Sequence, residues 1–213
     1  MKPYLVKTPK LLQQMFPQRV WAFSRSATNI YLTFDDGPIP EVTPWVLEEL
    51  RKYNAKATFF CIGDNIYKYP DVYKQVIFEG HSVGNHTFNH LKGTQTSVPE
   101  YLENIQKCNH VMQQHSTLKK SLLFRPPYGK MTSAQSKKIA GKKYQIVMWD
   151  VLSGDFDTAI SEEKCLKNVL KNIQPGSIVV FHDSLKAEKK LRYVLPKVLA
   201  SVYKKGWTCN AIT

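Results

Sequence analysis

The chain has 213 residues, 43% hydrophobic and 22% charged, with four cysteines. That length supports one large domain with its own core and excludes a small scaffold that depends on disulfides. A formal charge of +13 favours anionic partners in general: nucleic acid, acidic glycan or anionic lipid. The lysines, however, fall as separate pairs through the predicted helices (Lys119–Lys120, Lys137–Lys138, Lys142–Lys143, Lys189–Lys190, Lys204–Lys205). A solvated basic surface is therefore the simpler reading. No nucleic-acid-binding motif accompanies the charge, so no nucleic acid is expected.

Residues 1–28 read as an N-terminal extension, with the main domain at 29–213. The first residues lack the continuous apolar stretch of a signal peptide, and Pro3, Pro9 and Pro17 interrupt them. No run reaches membrane-spanning length. As written, the expected location is cytoplasmic; it becomes extracellular if a leader has been removed. Cys61, Cys108, Cys165 and Cys209 contain no C-x-x-C pair. They read as buried free thiols rather than disulfides or a zinc site.

Short apolar runs then alternate with helical ones. The first strand, Ile30–Phe34, ends in the pair Asp35-Asp36. Thr43 as N-cap with Pro44 at N1 opens a helix over Trp45–Tyr53. Ala57–Cys61 is the second strand. Asp71 caps Val72–Glu79, with Gly80 as its stop. His81–Gly84 is the third strand. Ser97-Val98-Pro99-Glu100 is a capping box that opens a helix toward His115. Leu122–Phe124 is the fourth strand. Thr132-Ser133-Ala134-Gln135 starts the next helix and Gly141 stops it. Tyr144–Trp149 is the fifth strand, Ser161 opens Glu162–Asn172, and Ser177–Phe181 is the sixth. A last helix ends at Lys205 before Gly206, with Pro196 expected in its first turn rather than its interior. Trp207–Ile212 is the seventh strand. This order predicts a parallel sheet with right-handed crossovers.

Chemistry-bearing residues follow the strand ends. Asp35 and Asp36 follow the first strand, His86 and His90 the third, Arg125 the fourth, Asp150 and Asp155 the fifth, His182 and Asp183 the sixth. In parallel α/β folds that edge is where sites are built. Adjacent carboxylates repel, so one Asp of the pair is expected to bind a metal and the other to handle a proton. The two histidines at i and i+4 complete a His-His-Asp metal set. Asp64 and Asn65 follow the second strand and are further candidates for substrate contact. His81 reads as structural, His110 and His115 as surface residues, Trp45 and Trp207 as core. Trp149 is open to either reading.

Thr33-Phe34-Asp35-Asp36-Gly37-Pro38, His86-Thr87-Phe88-Asn89-His90, Arg125-Pro126-Pro127-Tyr128 and Val180-Phe181-His182 stand in this order. Together they resemble the motifs of the polysaccharide deacetylase family (carbohydrate esterase family four, NodB homology domain). The resemblance covers about Asn29 to Ile212. It implies a distorted (β/α) barrel of about seven parallel strands and a hydrolase that removes N-acetyl groups from N-acetylglucosamine-type saccharides. O-acetyl ester hydrolysis and a non-catalytic glycan-binding module are the alternatives. The implied metal ligands are Asp36, His86 and His90. The implied ion is zinc first, with Co2+ or Ni2+ as substitutes. Asp35 would be the base, Arg125 would pair with it and keep it ionised, and the Tyr128 N–H would bind the oxyanion. His182 would be the acid, oriented by Asp155. Tyr128, Pro127, Phe156 and Val180 would line the substrate pocket. The implied partner is an N-acetylated saccharide, including acidic or lipid-linked ones. The fourth motif departs from the family's Asp-x-x-Asp-Trp: Leu152 and Phe156 replace its first Asp and its Trp, and only Asp155 is kept.

Overall fold

A computed structural model describes residues 4–115 and 122–213. In chain order the elements are α1 (Lys10–Met15), β1 (Arg19–Val20), β2 (Asn29–Asp35), α2 (Thr43–Arg51), β3 (Thr58–Cys61), α3 (Gly63–Lys68), α4 (Pro70–Phe78), β4 (Ser82–Asn85), α5 (Val98–Gln114), β5 (Leu123–Phe124), α6 (Ser133–Gly141), β6 (Gln145–Val147), β7 (Val151–Leu152), α7 (Glu162–Leu170), β8 (Ile178–His182), α8 (Glu188–Lys204) and β9 (Thr208–Cys209). Eight strands form one curled parallel sheet, in the order β1-β6-β5-β4-β3-β2-β8-β7, and β9 pairs with the start of β2. The result is a half-barrel wrapped by helices, one strand larger than the expected seven.

The gap between the outer strands is spanned by the chain that precedes β2. Val6 O accepts from Leu152 N (2.8 Å) and Thr8 N donates to Asp150 O (2.9 Å), so this segment runs antiparallel along β7. It then crosses to the other edge, where β1 pairs with β6. Strand pairing thus continues into the 1–28 segment.

The central strand β2 shows how the sheet sorts its residues. Side chains alternate across a strand. Ile30, Leu32 and Phe34 are fully buried in the layer beneath the helices. Tyr31, Thr33 and Asp35 take the other face. The β2–β8 register sets Thr33 beside Val180 and Asp35 beside His182.

Several sequence expectations need correction. Tyr144–Trp149 is not one strand: it breaks after Val147, and β7 begins at Val151. Asp150 sits in the break, facing the beginning of β8 through Ile178 N, and so lies away from the edge that carries Asp35. Thr43 is the first helical residue of α2, not its cap; Val42 caps the helix. Tyr69 precedes α4 with Pro70 at its start, and Asp71 lies in the first turn. Gly141 is the last residue of α6, and Lys143 supplies the positive φ (66°). Pro196 lies inside α8. Proline costs about 3 kcal/mol there, but Val194, Leu195, Val198 and Leu199 are all buried around it. Each buried aliphatic side chain contributes about 1.5–3 kcal/mol, so burial outweighs the lost hydrogen bond. Of the last predicted strand, only Thr208–Cys209 pairs. β1, α1, α3 and β7 had no sequence signal strong enough to predict them. The four cysteines are buried free thiols. The Lys119–Lys120 pair lies outside the described residues.

Asp150 is fully buried. It is bound by Lys7 Nζ (2.7 Å), Ser177 Oγ (3.1 Å) and Ile178 N (3.1 Å). Replacing it with Ala strands the buried Ile178 N–H and loosens the segment on β7. We expect a loss of about 2–3 kcal/mol in urea unfolding, with metal binding at the opposite edge unchanged. A loss under about 0.5 kcal/mol, the usual surface value, contradicts this role.

Candidate active site

Arg125 is fully buried at the end of β5. Its guanidinium donates to Asp35 Oδ1 (2.7 Å), Thr33 Oγ1 (2.7 Å), Val147 O (3.2 Å) and Met148 O (2.9 Å). It stacks 4.1 Å over the Phe60 ring. A buried charge is tolerable only when it is paired and well hydrogen-bonded; this one is paired with Asp35 and makes four hydrogen bonds. Its backbone carbonyl accepts from His86 Nδ1 (2.8 Å). That bond puts the histidine proton on Nδ1 and leaves the Nε2 lone pair free.

Asp36, next to the paired Asp35, turns the other way because its backbone is left-handed, with φ 82°. Asn65 Nδ2 donates to its carbonyl (2.7 Å). Thr87, His90 and Tyr128 also have positive φ. Non-glycine residues hold such conformations at a cost of order 1–3 kcal/mol each, and only where their surroundings over-determine them. The surroundings do so here. Thr87 N donates to Asn85 Oδ1, Leu91 N to Thr87 Oγ1, and Phe88 N and Asn89 N to Asn104 Oδ1.

Asp36, His86 and His90 offer one ligand atom each, all within 4.8 Å of one another. Asp36 Oδ1 lies 3.3 Å from His90 Nε2 and 3.7 Å from His86 Nε2. Burial lowers both histidine pKa values, that of His86 to about 3. Both are thus neutral, as metal ligands must be. Two imidazoles and a carboxylate, with one imidazole oriented from behind by a carbonyl, fit a divalent ion of the zinc type.

His182 closes β8. Its Nδ1 lies 2.7 Å from Asp155 Oδ1, and its N–H donates to Asp155 Oδ2 (2.7 Å). Burial works against the imidazolium, but the charge and hydrogen bond of Asp155, helped by Asp36 and Asp35, carry its pKa up to about 10. Phe156 packs edge-on against the imidazole at 5.1 Å. Val180 is buried two residues earlier on the same strand face, in register with Leu152. The Tyr128 ring is exposed and lies 4.6 Å from the His90 ring. Pro127 is buried beneath it.

The sequence-predicted residues therefore converge, except for Asp150 at the opposite end of the sheet. Asn65 holds the backbone of Asp36, whereas Asp64 pairs with Lys68. Trp149 lies under the loop after Tyr128: a Cβ at Gly129 (φ +66°) would come within 2.6 Å of it. His81 accepts from Ala57 N, the structural role expected of it.

The sequence places Asp183 at the end of the sixth strand and assigns it no role. It is fully buried, with Oδ1 accepting from Gly37 N (3.0 Å) and Oδ2 from Thr43 Oγ1 (2.6 Å). Burial raises its pKa to about 8. It clamps the turn that carries Asp35 and Asp36. A Cβ at Gly37 would lie 2.0 Å from its carboxylate, so only glycine fits. Its position directly after His182 was the one available clue.

The sequence model for polysaccharide deacetylases matches residues 24–147. The chain belongs to the polysaccharide deacetylase family. Over 188 residues it is 37% identical to a peptidoglycan-N-acetylglucosamine deacetylase of Bacillus cereus, covering 88% of this chain and 87% of that protein. A chitooligosaccharide deacetylase of Azorhizobium caulinodans is 33% identical over 195 residues, with 83% and 91% covered. A crystal structure of a peptidoglycan N-acetylglucosamine deacetylase superposes with a TM-score of 0.88 at 29% identity, covering 96% of this chain and 95% of that one.

For this deacetylase, replacing His86 or His90 with Ala removes one of the three candidate ligands. Zinc content after reconstitution, read by plasma mass spectrometry, should fall from about one ion per chain to a small fraction. His81→Ala should leave it unchanged. Equal zinc in all three variants contradicts the ligand assignment.

Proposed function

We propose that this deacetylase hydrolyses the N-acetyl group of N-acetylglucosamine-type saccharides, with Asp35 as base and His182 as acid. One observation carries the reading. Asp35 and His182 are register partners on adjacent strands, and each has its own buried counter-charge, Arg125 and Asp155. Base and acid thus flank the Asp36–His86–His90 set from neighbouring strand ends.

Asp36, His86 and His90 would hold a divalent ion, zinc for preference, which would lower the pKa of water and polarise the acetyl carbonyl. Asp35 takes the proton of the attacking water. The guanidinium of Arg125 fixes that carboxylate in place through Oδ1 and leaves Oδ2 for the proton. The Tyr128 N–H makes no hydrogen bond to the described residues, so it is available to the tetrahedral oxyanion. His182, protonated in the neutral pH range, gives its proton to the departing nitrogen. An amine leaves poorly unless protonated, whereas an ester alkoxide needs less help. A histidine held charged by Asp155 therefore suits amide cleavage better than O-acetyl ester cleavage. Phe156, Val180 and Pro127 supply the apolar lining for the acetyl methyl and sugar ring. The relatives named for peptidoglycan and chitooligosaccharides support an N-acetylglucosamine unit as the target.

Zinc-loaded protein should release acetate from N-acetylglucosamine oligomers or peptidoglycan, and from acetylated xylan more slowly. No acetate from any of these overturns the reading. Asp35→Asn should lower turnover by roughly 10²–10⁴-fold with zinc still bound. Retained turnover would remove Asp35 as base.

The pH dependence follows from His182. Its folded pKa of about 10 exceeds the ordinary 6.5. The stabilisation from its pairing with Asp155 is therefore fully present below pH 6.5 and is lost as pH rises through 10. In Asp155→Asn, that pH-dependent loss in urea melts should shrink. The basic limb of the kcat–pH profile should also move to lower pH. An unmoved limb contradicts His182 as the acid.

A further inference from the structure

The loop from Ser153 to Asp157 carries both groups that hold His182: Asp155 by hydrogen bonds and Phe156 by ring contact. The loop is gripped from two sides. On one, Asn168 Nδ2 donates to Ser153 O (2.9 Å), and Ser153 Oγ accepts from Asp155 N (3.3 Å). On the other lies Tyr4. Its hydroxyl donates to Asp157 Oδ2 (3.1 Å), and its ring sits 5.3 Å from the Phe156 ring. Gly154, at φ +79°, passes directly beneath: a Cβ there would meet the Tyr4 hydroxyl at 2.7 Å. Tyr4 is delivered by the antiparallel pairing of Val6 and Thr8 along β7 and anchored by Lys7 on Asp150. The Phe156 ring therefore contacts both the Tyr4 and the His182 rings, at centroid distances of 5.3 and 5.1 Å.

We propose that Tyr4 is a positioning residue for the catalytic acid: its ring backs Phe156, and Phe156 fixes the tilt of the His182 imidazole toward the leaving nitrogen. The inference rests on the reading of His182 as the acid. The hydrogen bond from Nδ1 to Asp155 anchors one side of the imidazole but still allows the ring to swing about that bond. An edge-on aromatic contact limits the swing, provided the aromatic ring itself cannot retreat. The Tyr4 ring, packed against Phe156 and tied to Asp157 through its hydroxyl, limits that movement. Misplacing a reacting group by about 1 Å can cost on the order of 10²-fold in rate, so a loose Phe156 is sufficient to impair proton delivery.

The test compares the zinc-loaded full chain with Tyr4→Ala and Tyr4→Phe on two substrates. N-acetylglucosamine pentamer needs a protonated leaving group; p-nitrophenyl acetate does not. Tyr4→Ala should lower kcat on the pentamer by about tenfold or more at unchanged KM. The aryl ester rate should stay within about twofold, a difference under roughly 0.5 kcal/mol. Tyr4→Phe keeps the ring and should restore the pentamer rate. Equal loss on both substrates, no loss on either, or failure of Tyr4→Phe to restore the rate overturns the proposal. A second readout needs no turnover. The His182 Nδ1 proton, bonded to Asp155, should give a protected downfield NMR signal in the unmodified chain and in Tyr4→Phe, broadened by solvent exchange in Tyr4→Ala. An unchanged signal in Tyr4→Ala also overturns the proposal. If the unmodified chain releases no acetate, the reading of His182 as acid fails, and the NMR comparison still decides whether Tyr4 restrains the imidazole.

Discussion

The buried guanidinium of Arg125 is the constraint on which the rest of the site depends. A cation taken out of water costs several kcal/mol unless its charge and its donors are all answered. Here the charge is paired and four hydrogen bonds are made, with groups drawn from three strands and their ends. Thr33 and Asp35 come from β2, the Val147 and Met148 carbonyls from the end of β6, and the stacking face from Phe60 on β3. The carbonyl of the same residue orients His86 at the end of β4. One residue thus sets the position of both Asp35 and a candidate metal ligand. It can do so only because the sheet curls enough to bring β2 and β5 to opposite sides of one interior.

A second charge pair, Asp155 with His182, repeats this arrangement on the other side of β2. The two pairs place a carboxylate and an imidazole under opposite fields. The carboxylate Asp35 faces a permanent cation, and the imidazole His182 faces a buried anion. In the proposed mechanism these opposite fields suit the carboxylate to act as base and the imidazole to act as acid. Between them, Asp36, His86 and His90 are held by backbone in left-handed or tightly bonded conformations. That strain is supported by Asn65, Asn85, Asn104 and Asp183, none of which offers a ligand atom to the metal set.

The segment before β2 shares this economy of contacts. It covers the outer edge of β7, which would otherwise expose unpaired backbone groups. In doing so it brings Lys7 to the buried Asp150 and Tyr4 to the loop that carries Asp155. Closing an edge and packing against the loop that carries Asp155 are therefore done by one stretch of chain, which carries no catalytic motif.

The sequence by itself determined the alternation of strands and helices, the family, and the residues that meet at the site. Those depend on local chemistry: two adjacent carboxylates after a strand, spaced histidines, and an Arg-Pro-Pro-Tyr turn. Tertiary structure decided what local signals could not. Asp150 and Asp155 look equivalent after one apolar run, but the strand breaks at Asp150 and resumes as β7 before Asp155, which sends one carboxylate to each end of the sheet. Pro196 reads as a helix start until the burial around it is known. Asp183 reads as a rim residue until Gly37 is seen packed against it, and Tyr4 as part of an extension until β7 is seen beside it. In each case the deciding energy comes from a contact between residues far apart in the chain, and such a contact leaves no periodic or spacing signal in the sequence around either partner.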